Sequence, residues 1–248
     1  MIELVGLLLV IISALFMLIL AMVNRGREGR PRLRQIQPVQ RMQKAIAQVV
    51  ESGDRLHVSL GNAGMLESNN ASTLAGLSAL GCISRLSVMS DHPPFATSGE
   101  SISALLGKNI LHAGFREGNS LDLYDPDQAR LTGITPFSYV GGMLPLMHDN
   151  EISANMLIGH FGPEIALVTE AAHRDRSFIL GASDALQAQS VLFASTPDVL
   201  IGEEVFAIPA YLQAGPLHLS SLQTQDVLRW LLIVLMIGGA ALKVLGIF

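Results

Sequence analysis

The most restrictive feature of this chain is an uncharged apolar stretch near its start. From Leu4 to Val23 there are 20 residues without a charge, and Ser13 is the only polar side chain among them. A helix of that length spans about 30 Å, which is the hydrocarbon thickness of a bilayer. A cleaved secretory signal would begin with basic residues, whereas the only charged side chain before this stretch is Glu3. We therefore predict an uncleaved transmembrane helix.

A second apolar stretch lies near the other end, from Leu228 to Phe248. Its uncharged centre, residues 231–242, is flanked by Arg229 and Lys243, whose long side chains can extend toward the lipid headgroups. Trp230 stands where an indole is favoured at the membrane interface. Charged residues make up only 15% of the chain, against about a quarter of an ordinary soluble domain. We predict a second transmembrane helix here.

Charge is distributed unevenly between the two predicted spans. Residues 24–44 hold seven basic residues and one acidic residue, whereas residues 45–226 hold seven basic and nineteen acidic residues. Because short basic flanks stay in the cytoplasm, this predicts a cell (inner) membrane protein with a cytoplasmic middle and both termini outside. The acidic body would be repelled by DNA or RNA, so we expect no nucleic-acid binding. The expected partners are the lipid bilayer and other proteins, including further copies of this chain.

Cysteine and histidine usage gives no sign of a disulfide or a metal. Cys82 is the only cysteine, and no Cys/His spacing resembles a zinc site. Glu170 and His173 have the spacing used in di-iron bundles, but such sites need a second copy of the motif and two further glutamates. We expect the other histidines to be mostly ordinary surface or partly buried residues: His57, His92, His112, His148, His160 and His218. We predict no metal and no cofactor.

The region between the spans alternates short apolar segments with helical periodicity. Strands are predicted at residues 55–60, 95–98, 130–132, 154–161, 178–181 and 191–194, and helices at 39–52, 71–90, 100–115, 136–147, 163–173 and 198–212. This alternation indicates a mostly parallel sheet covered on both faces. The predicted fold class is α/β, with a Rossmann-like, doubly wound sheet between two terminal transmembrane helices. The predicted domains are the first span (1–24), a basic juxtamembrane segment (25–44), the α/β domain (45–216) and the second span with a short lead-in (217–248).

Several short motifs in this region resemble a known family. They are Tyr124-Asp125-Pro126-Asp127, Gly159-His160-Phe161, Glu164 with Glu170, Gly181-Ala182-Ser183-Asp184, Ile201-Gly202-Glu203-Glu204 and Ala210-Tyr211-Leu212. Together they resemble an uncharacterised family of prokaryotic two-span membrane proteins with a cytoplasmic α/β domain, a domain of unknown function. The likeness extends from about Gln35 to Ile237. It implies the architecture and brings no activity, cofactor or partner with it.

Ligands of open parallel sheets bind beyond the carboxyl ends of the strands, so four loops are candidates for a binding site. They are residues 61–64, 98–101, 160–164 and 181–184, each of which combines small residues with polar ones. The candidate ligand-binding residues are Gly61, Asn62, Gly64, Ser98, Glu164, Gly181, Ser183 and Asp184, together with Glu203 and Glu204 near the start of the last predicted helix of the domain.

The first of these loops, Gly61 to Gly64, follows a strand and precedes a helix, as a phosphate-binding loop does. It lacks the third glycine of the dinucleotide motif and the glycine-lysine pair of a P-loop. The geometry of a tight turn explains these glycines more simply.

The loop at Gly181 to Ala185 resembles the nucleophile elbow of an esterase, with Ser183 as the nucleophile. Asp198 or Glu203, followed by His218, would satisfy the chain order of a catalytic triad. However, a serine followed by an aspartate equally describes a helix cap.

Asp198, Glu203 and Glu204 lie near the start of the last predicted helix. Carboxylates in a first turn interact favourably with the helix dipole, by about 0.3 to 1 kcal/mol each. The helix dipole explains one of these carboxylates, and another is available to bind a cytoplasmic cation or a basic segment of a partner protein.

These patterns favour a non-enzymatic, membrane-anchored α/β module, a scaffold or binding component of a membrane assembly. The alternative is a membrane-bound enzyme or a sensor of nucleotides or small ligands, which would use the crevice at the carboxyl ends of the strands. A transporter or channel subunit is disfavoured because neither span has a charge near its centre.

Overall fold

A computed structural model describes residues 2–25, 33–87, 90, 92–149 and 152–244 of the chain. The described part forms two compact units, residues 33–214 and a unit of two terminal helices. Three sequence predictions fall partly outside the described residues: the helix end at residues 88–89, the arginines at 27, 30 and 32, and the end of the second span at 245–248.

The larger unit is built on a six-stranded sheet. Its strands are β1 (Arg55–Gly61), β2 (Phe95–Ser98), β3 (Ala129–Leu131), β4 (Ile152–His160), β5 (Phe178–Ser183) and β6 (Val199–Ile201). Every neighbouring pair is parallel and the order is β3-β2-β1-β4-β5-β6. In the register of the central strands, Val58 of β1 lies between Ala96 of β2 and Met156 of β4. The predicted α/β class with a doubly wound parallel sheet is therefore confirmed.

Seven helices of this unit cover the sheet. They are α2 (Gln37–Ser52), α3 (Asn70–Ser87), α4 (Ser101–Glu117), α5 (Pro136–Asp149), α6 (Ile165–Arg174), α7 (Leu186–Ser195) and α8 (Glu204–Tyr211). Apolar side chains of α2, α3, α4 and α8 pack on one face of the sheet, and those of α5, α6 and α7 pack on the other. On the first face β1 contributes Leu56, Val58 and Leu60, which alternate along the strand because successive side chains point to opposite faces.

The second unit consists of α1 (Ile2–Arg25) and α9 (Pro216–Val244). Its two helices pack against each other, and the Asn24 side-chain amide donates to Ser220 Oγ at 2.9 Å and to Gln223 Oε1 at 2.8 Å. Since Asn24 ends α1 and Ser220 begins α9, the helices run antiparallel. Both are long and apolar enough to cross a membrane, over Gly6–Arg25 and Pro216–Ala241.

The strand predicted at residues 191–194 is wrong, because these residues lie inside α7. Neighbouring parallel strands need a crossover connection, and α7 is the crossover from β5 to β6. The short apolar run fits either structure by periodicity alone. Its buried residues, Ala188 and Leu192, are spaced as one face of a helix.

The helix predicted at residues 198–212 is also partly wrong. Val199–Ile201 forms β6, and the helix begins only at Glu204. Gly202 has a φ of +64°, a left-handed conformation that ends the strand and separates it from α8. The apolar residues of β6 continue the helical spacing of Val205 and Ile208. The sequence pattern therefore predicted one long helix instead of a strand followed by a helix.

Candidate functional site

The strand order reverses between β1 and β4, which is where open α/β sheets bind their ligands. At this switch point the end of β1 touches the end of β4, with Gly61 paired to His160. Gly61 has a φ of +79°, and a Cβ added there would lie 2.3 Å from the His160 carbonyl oxygen. The close approach of the two strand ends therefore requires glycine at this position.

One polar pair stands beside this switch point. His160 Nδ1 lies 2.8 Å from Asp184 Oδ1, and the two side chains are 27% and 20% exposed. Because a carboxylate only accepts hydrogen bonds, His160 Nδ1 carries a proton and donates it to Asp184, which orients the ring. Asp184 follows β5 and His160 ends β4, so the sheet brings together two residues that are 24 positions apart in the chain. This is a polar, partly exposed arrangement that can accept a hydrogen bond from a ligand or take a proton from it.

The other candidate carboxylates of the strand-end loops support local structure. Glu164 is buried, and its Oε1 accepts from the Gly162 backbone N–H at 2.8 Å. Glu100, at the N-cap of α4, accepts through Oε2 from the Ser103 N–H at 2.7 Å. Partial burial acts to raise the pKa of its carboxyl group, but hydrogen bonds from Ile102 and Ser103 together lower it. Ser98 is buried and bonds within its own loop, accepting from the Glu100 N–H.

The loop after β1 is not arranged as a phosphate cradle. The Gly61 N–H donates to the Tyr139 hydroxyl, and the Asn62 N–H donates to the His160 carbonyl at 3.0 Å. Two N–H groups that would face a phosphate are thus already bonded within the protein. The Gly64 carbonyl accepts from the Glu67 N–H, which closes a turn. The tight-turn interpretation of these glycines fits the geometry.

The loops that follow the strands are also strongly acidic. Between the strands and the helices that follow them, these loops carry Glu67, Glu100, Glu164, Asp184 and Glu203, and Glu204 is the first residue of α8. In these same loops, all of them described, there is no lysine or arginine. Phosphate groups are bound through cations and free N–H groups, so this edge of the sheet is poorly suited to an anionic ligand.

The esterase interpretation of Ser183 is wrong. A nucleophile elbow holds its serine in a strained turn, but Ser183 ends β5 and is not among the described residues with positive φ. Its hydroxyl is buried and accepts from the Phe161 and Ala185 N–H groups, both at 3.3 Å. Gly181 lies inside the strand, where an added Cβ would meet the Leu192 side chain at 2.7 Å. Both residues therefore serve packing and loop closure.

The acidic residues near α8 have separate positions. Asp198 precedes β6 rather than the helix and pairs with Arg41 at 3.3 Å. Burial raises the pKa of Asp198, and the Arg41 guanidinium opposes that change. Glu203 occupies the N-cap position of α8 without a capping side-chain bond, and Glu204 lies in its first turn, as expected for carboxylates at a positive helix end.

Glu170 and His173, which have the spacing of a di-iron motif, bond to different partners. Glu170 pairs with Arg174 one turn along α6 at 3.1 Å, while His173 Nε2 bonds to the Ser195 carbonyl. Within the described part of the chain, no group of three or more His, Cys, Asp or Glu side chains is placed to hold a metal ion.

A buried polar network lies under the switch point, on the face of the sheet covered by α5. The Tyr139 hydroxyl bonds to Ser59 Oγ and, at 3.2 Å, to Thr97 Oγ1. His57 Nε2 lies 2.9 Å from Thr97 Oγ1, and His57 Nδ1 lies 2.9 Å from Asn155 Oδ1. All five side chains are almost completely buried. The Gly61 N–H, which also bonds to Tyr139, connects the network to the end of β1.

The donor and the acceptor of the hydrogen bonds around His57 can be assigned in one consistent way. Asn155 Nδ2 donates to Ser177 Oγ, so its Oδ1 faces His57 and His57 Nδ1 carries the proton. Nε2 then accepts from the Thr97 hydroxyl, which leaves Thr97 Oγ1 to accept from Tyr139. Burial lowers the pKa of His57 from 6.5 to about 4, opposed by the bond to Asn155, so the ring is neutral at pH 7.

This network was not predicted from the sequence, where the histidines were expected to be mostly ordinary surface or partly buried residues. His57 is an exception, since it is completely buried. The available signal was the alternation in β1, where His57 and Ser59 interleave with the apolar Leu56, Val58 and Leu60. Two polar residues on one face of a buried strand require buried partners.

A family model described as "Domain of unknown function (DUF6754)" matches residues 2–248. The chain belongs to this family. The match covers both terminal helices and the α/β unit together, in agreement with the resemblance to an uncharacterised family. No curated protein and no solved structure matches the DUF6754 chain significantly.

Proposed function

We propose that this DUF6754 chain is a membrane-anchored α/β module that binds a small amine or another cationic ligand at the carboxyl edge of its sheet. The observation that carries the proposal is the His160–Asp184 pair, a partly exposed polar pair at the switch point of a doubly wound sheet. In this proposal the module is a binding component of a membrane assembly, and it does not bind nucleic acid.

Two features support the anchoring. Most of the large apolar side chains of α1 are about half exposed or more, which suits a helix surrounded by lipid. Within the α/β unit, the chain enters and leaves at neighbouring points, because the Tyr211 hydroxyl donates to the Arg34 carbonyl at 2.9 Å. A domain with adjacent ends is suited to two membrane helices that start on the same side of a bilayer. The basic residues after α1 favour the cytoplasmic side of the cell membrane.

The charge of the strand-end loops supports the ligand class. Five carboxylates in loops without a lysine or arginine, with Glu204 at the start of α8, disfavour nucleotides, whose phosphates need cationic or N–H partners. His160 holds Asp184 in place, and both side chains are partly exposed, so the carboxylate can accept a hydrogen bond from a ligand. A ligand that donates hydrogen bonds, such as an amine, fits this arrangement better than an anion.

The proposal is tested by thermal unfolding of the full chain in detergent. The panel contains spermidine, choline, Mg²⁺, Zn²⁺, ATP and NAD. An amine or cation at a hundred times its dissociation constant is expected to add about 2.7 kcal/mol, and the nucleotides are expected to add nothing. Asp184→Asn should abolish the shift, while Glu203→Gln, which alters a carboxylate of the same edge, should keep it. A panel without any stabilising amine or cation, or a shift that survives Asp184→Asn, would contradict the proposal.

The same pair favours one second candidate, an enzyme in which His160 acts as a general base oriented by Asp184. The two candidates differ in what happens to a bound ligand. Mass spectrometry of the ligand after incubation with the protein would recover it unchanged from a binding module and converted from an enzyme. Conversion that is lost in His160→Gln would favour the enzyme.

A further inference from the structure

A polar cavity lies in the α/β unit at the edge of the sheet opposite to the candidate site. Its volume is about 350 Å³, which is in the range of small-ligand sites. The buried apolar residues Met147 and Ile152 form part of its lining. The other described lining residues are polar: Asp54, His148, Ser153, Asp175, Arg176 and Ser177. We call it the amino-edge cavity, because these residues precede or begin the strands β1, β4 and β5.

The buried His57 network holds one wall of this cavity in place. Ser177 Oγ accepts from the Asn155 side-chain amide at 2.9 Å and donates to the Ala172 carbonyl at 3.1 Å. Asn155 is in turn bonded to His57, which is completely buried. A wall that is already ordered in the free protein loses little conformational entropy when a ligand binds.

Asp54 contributes a carboxylate that lacks a cationic partner. Its Oδ2 accepts from the Ser52 hydroxyl at 2.7 Å. Hydrogen bonds from Ser52 and Ser153 lower the pKa of this carboxyl group, so it is ionised at pH 7. In the part of the chain that the structure describes, no lysine or arginine pairs with Asp54. Asp54 also follows the end of α2, where the helix dipole attracts cations rather than anions. The position therefore suits the positively charged group of a ligand.

Arg176 contributes the opposite charge. Among the described residues, its guanidinium group has no ion pair and no hydrogen bond, so it does not pair with Asp54 across the cavity. Arg176 has a φ of +55°, and its N–H donates to the His173 carbonyl at 3.1 Å in the turn that closes α6. Glycine is the usual residue at this position of a helix end, because other residues are strained there. The chain thus carries an arginine where the backbone conformation favours glycine.

We propose that the amino-edge cavity binds a small zwitterion of the amino-acid class, with one ammonium and one carboxylate group. The ammonium group pairs with Asp54, and the carboxylate pairs with Arg176 through two parallel N–H···O bonds. Because Asp54 and Arg176 lie beyond ion-pair distance of each other, a simple cation or a simple anion would leave one of them unmatched. Asp175 is less available, since His148 Nδ1 lies 3.7 Å from its Oδ1. None of these residues belongs to the candidate site at the carboxyl edge, so this inference does not rest on the proposed function.

Thermal unfolding of the full chain in detergent tests the ligand class. An Asp184→Asn background removes the ligand site proposed at the carboxyl edge. The zwitterions are glycine, alanine, glutamine and 4-aminobutanoate, and the analogues with one charge are propylamine and propanoate. We expect a zwitterion to raise the midpoint of unfolding and each analogue to bind about tenfold or more weakly, because it lacks one charge-assisted contact. A panel in which no zwitterion raises the midpoint, or in which an analogue binds equally well, overturns the proposal.

Replacement of Arg176 by glycine separates the effect of the backbone from the effect of the guanidinium group. Arg176→Gly should raise the midpoint without ligand, because it relieves the left-handed strain, and should remove the zwitterion shift. Asn119→Gly is the matched control, since Asn119 also has a φ of +55°, in the turn that closes α4, and does not line the cavity. This control should keep the full shift. A zwitterion shift that survives Arg176→Gly, or one that Asn119→Gly also removes, contradicts the site.

Charge reversal supplies a readout that a weakened fold does not produce. Arg176→Glu places a carboxylate at both ends of the cavity, so the preferred ligand should change from 4-aminobutanoate to 1,4-diaminobutane, which has two ammonium groups. An unchanged preference overturns the proposal. Failure of the carboxyl-edge proposal is detected separately, as an amine shift that Asp184→Asn does not remove, so the two failures are distinguishable.

Discussion

The two compact units of this chain expose and bury opposite kinds of side chain. In α1 and α9 large apolar residues face outward, whereas the α/β unit completely buries a histidine, an asparagine and several hydroxyl groups. An exposed apolar surface of that extent is stable only in contact with lipid or protein. A buried polar network is stable only when every member is hydrogen-bonded. The two units therefore differ in the surface they present, and the exposed apolar surface of α1 and α9 supports the proposed membrane anchoring.

The largest expected effect comes from placing the same charge on an exposed apolar position of each unit. Ile12 in α1 is 57% exposed and Leu66 in the loop after β1 is 93% exposed. Ile12→Arg should cost about 3 kcal/mol or more, because it places a cation near the centre of the hydrocarbon. Leu66→Arg should be nearly neutral, since that side chain is in water. The measurement is the fraction of the chain that stays in the membrane during alkaline carbonate extraction. If this fraction were the same for Ile12→Arg and Leu66→Arg, the proposed difference in surroundings between the two units would be contradicted.

The next largest effect is a loss of stability at the end of β1, beside the candidate site. Gly61→Ala should destabilise the unit by about 3 kcal/mol, because it adds a Cβ in a left-handed conformation and against the β4 backbone. Gly141→Ala in α5 is the control. A Cβ there meets nothing within 4 Å, so the helix should gain roughly 0.5 to 1 kcal/mol. Chemical denaturation of the full chain in detergent measures both, and a tolerated Gly61→Ala would refute the close approach of β1 and β4.

The buried histidine makes the stability of the α/β unit depend on pH. The pKa of His57 is lowered from 6.5 to about 4 by burial, so between these values the unfolded chain binds more protons than the folded one. The contribution of His57 to the free energy of unfolding is therefore fully present above pH 6.5. It is lost as the pH falls toward 4, and the loss amounts to roughly 3 kcal/mol.

His57→Gln should flatten the pH dependence in that window, as measured by denaturation at a series of pH values. Since this variant removes a member of the network and can unfold, the wild-type chain supplies a second readout. The ¹⁵N NMR shifts of the His57 ring should be those of a neutral ring with the proton on Nδ1 at pH 6. A protonated ring at pH 6 would contradict the account of the network.

The smallest effect compares two tyrosine hydroxyl groups. Tyr139→Phe removes the partner of Ser59, Thr97 and the Gly61 N–H in a fully buried site, so it should cost about 1 to 3 kcal/mol. Tyr124→Phe removes a bond of 3.3 Å to the Lys108 carbonyl from a half-buried side chain and should cost about 0.5 kcal/mol. Thermal unfolding of both variants in one detergent measures the difference. Equal losses would mean that the buried network adds little to stability.

Much of the architecture was predictable from the sequence because local signals were strong. The apolar runs at residues 55–60 and 154–161 predicted strands that the structure contains as β1 and β4. The predictions failed at α7 and β6, where two short apolar runs fit both periodicities. In that region only the parallel pairing of the strands decides which run forms the helix.

The candidate site was predictable only in outline. The four loops at the strand ends follow from the order of strands and helices, and they included His160 and Asp184. The pairing of these two side chains depends on β4 and β5 being neighbours, which the sequence does not state. The alternation in β1 indicates that His57 needs buried partners, but the partners themselves come from β2, β4 and α5 and could not be identified for the same reason. The contact of Asn24 with Ser220 and Gln223 likewise joins opposite ends of the chain.

The membrane-anchored module is tested most directly by measuring on which side of the membrane the α/β unit lies. Asp122, an exposed residue of this unit, is replaced by cysteine in a Cys82→Ser background and treated with a membrane-impermeant maleimide. The account predicts labelling in inverted membrane vesicles and protection in intact cells. Labelling in intact cells would contradict it.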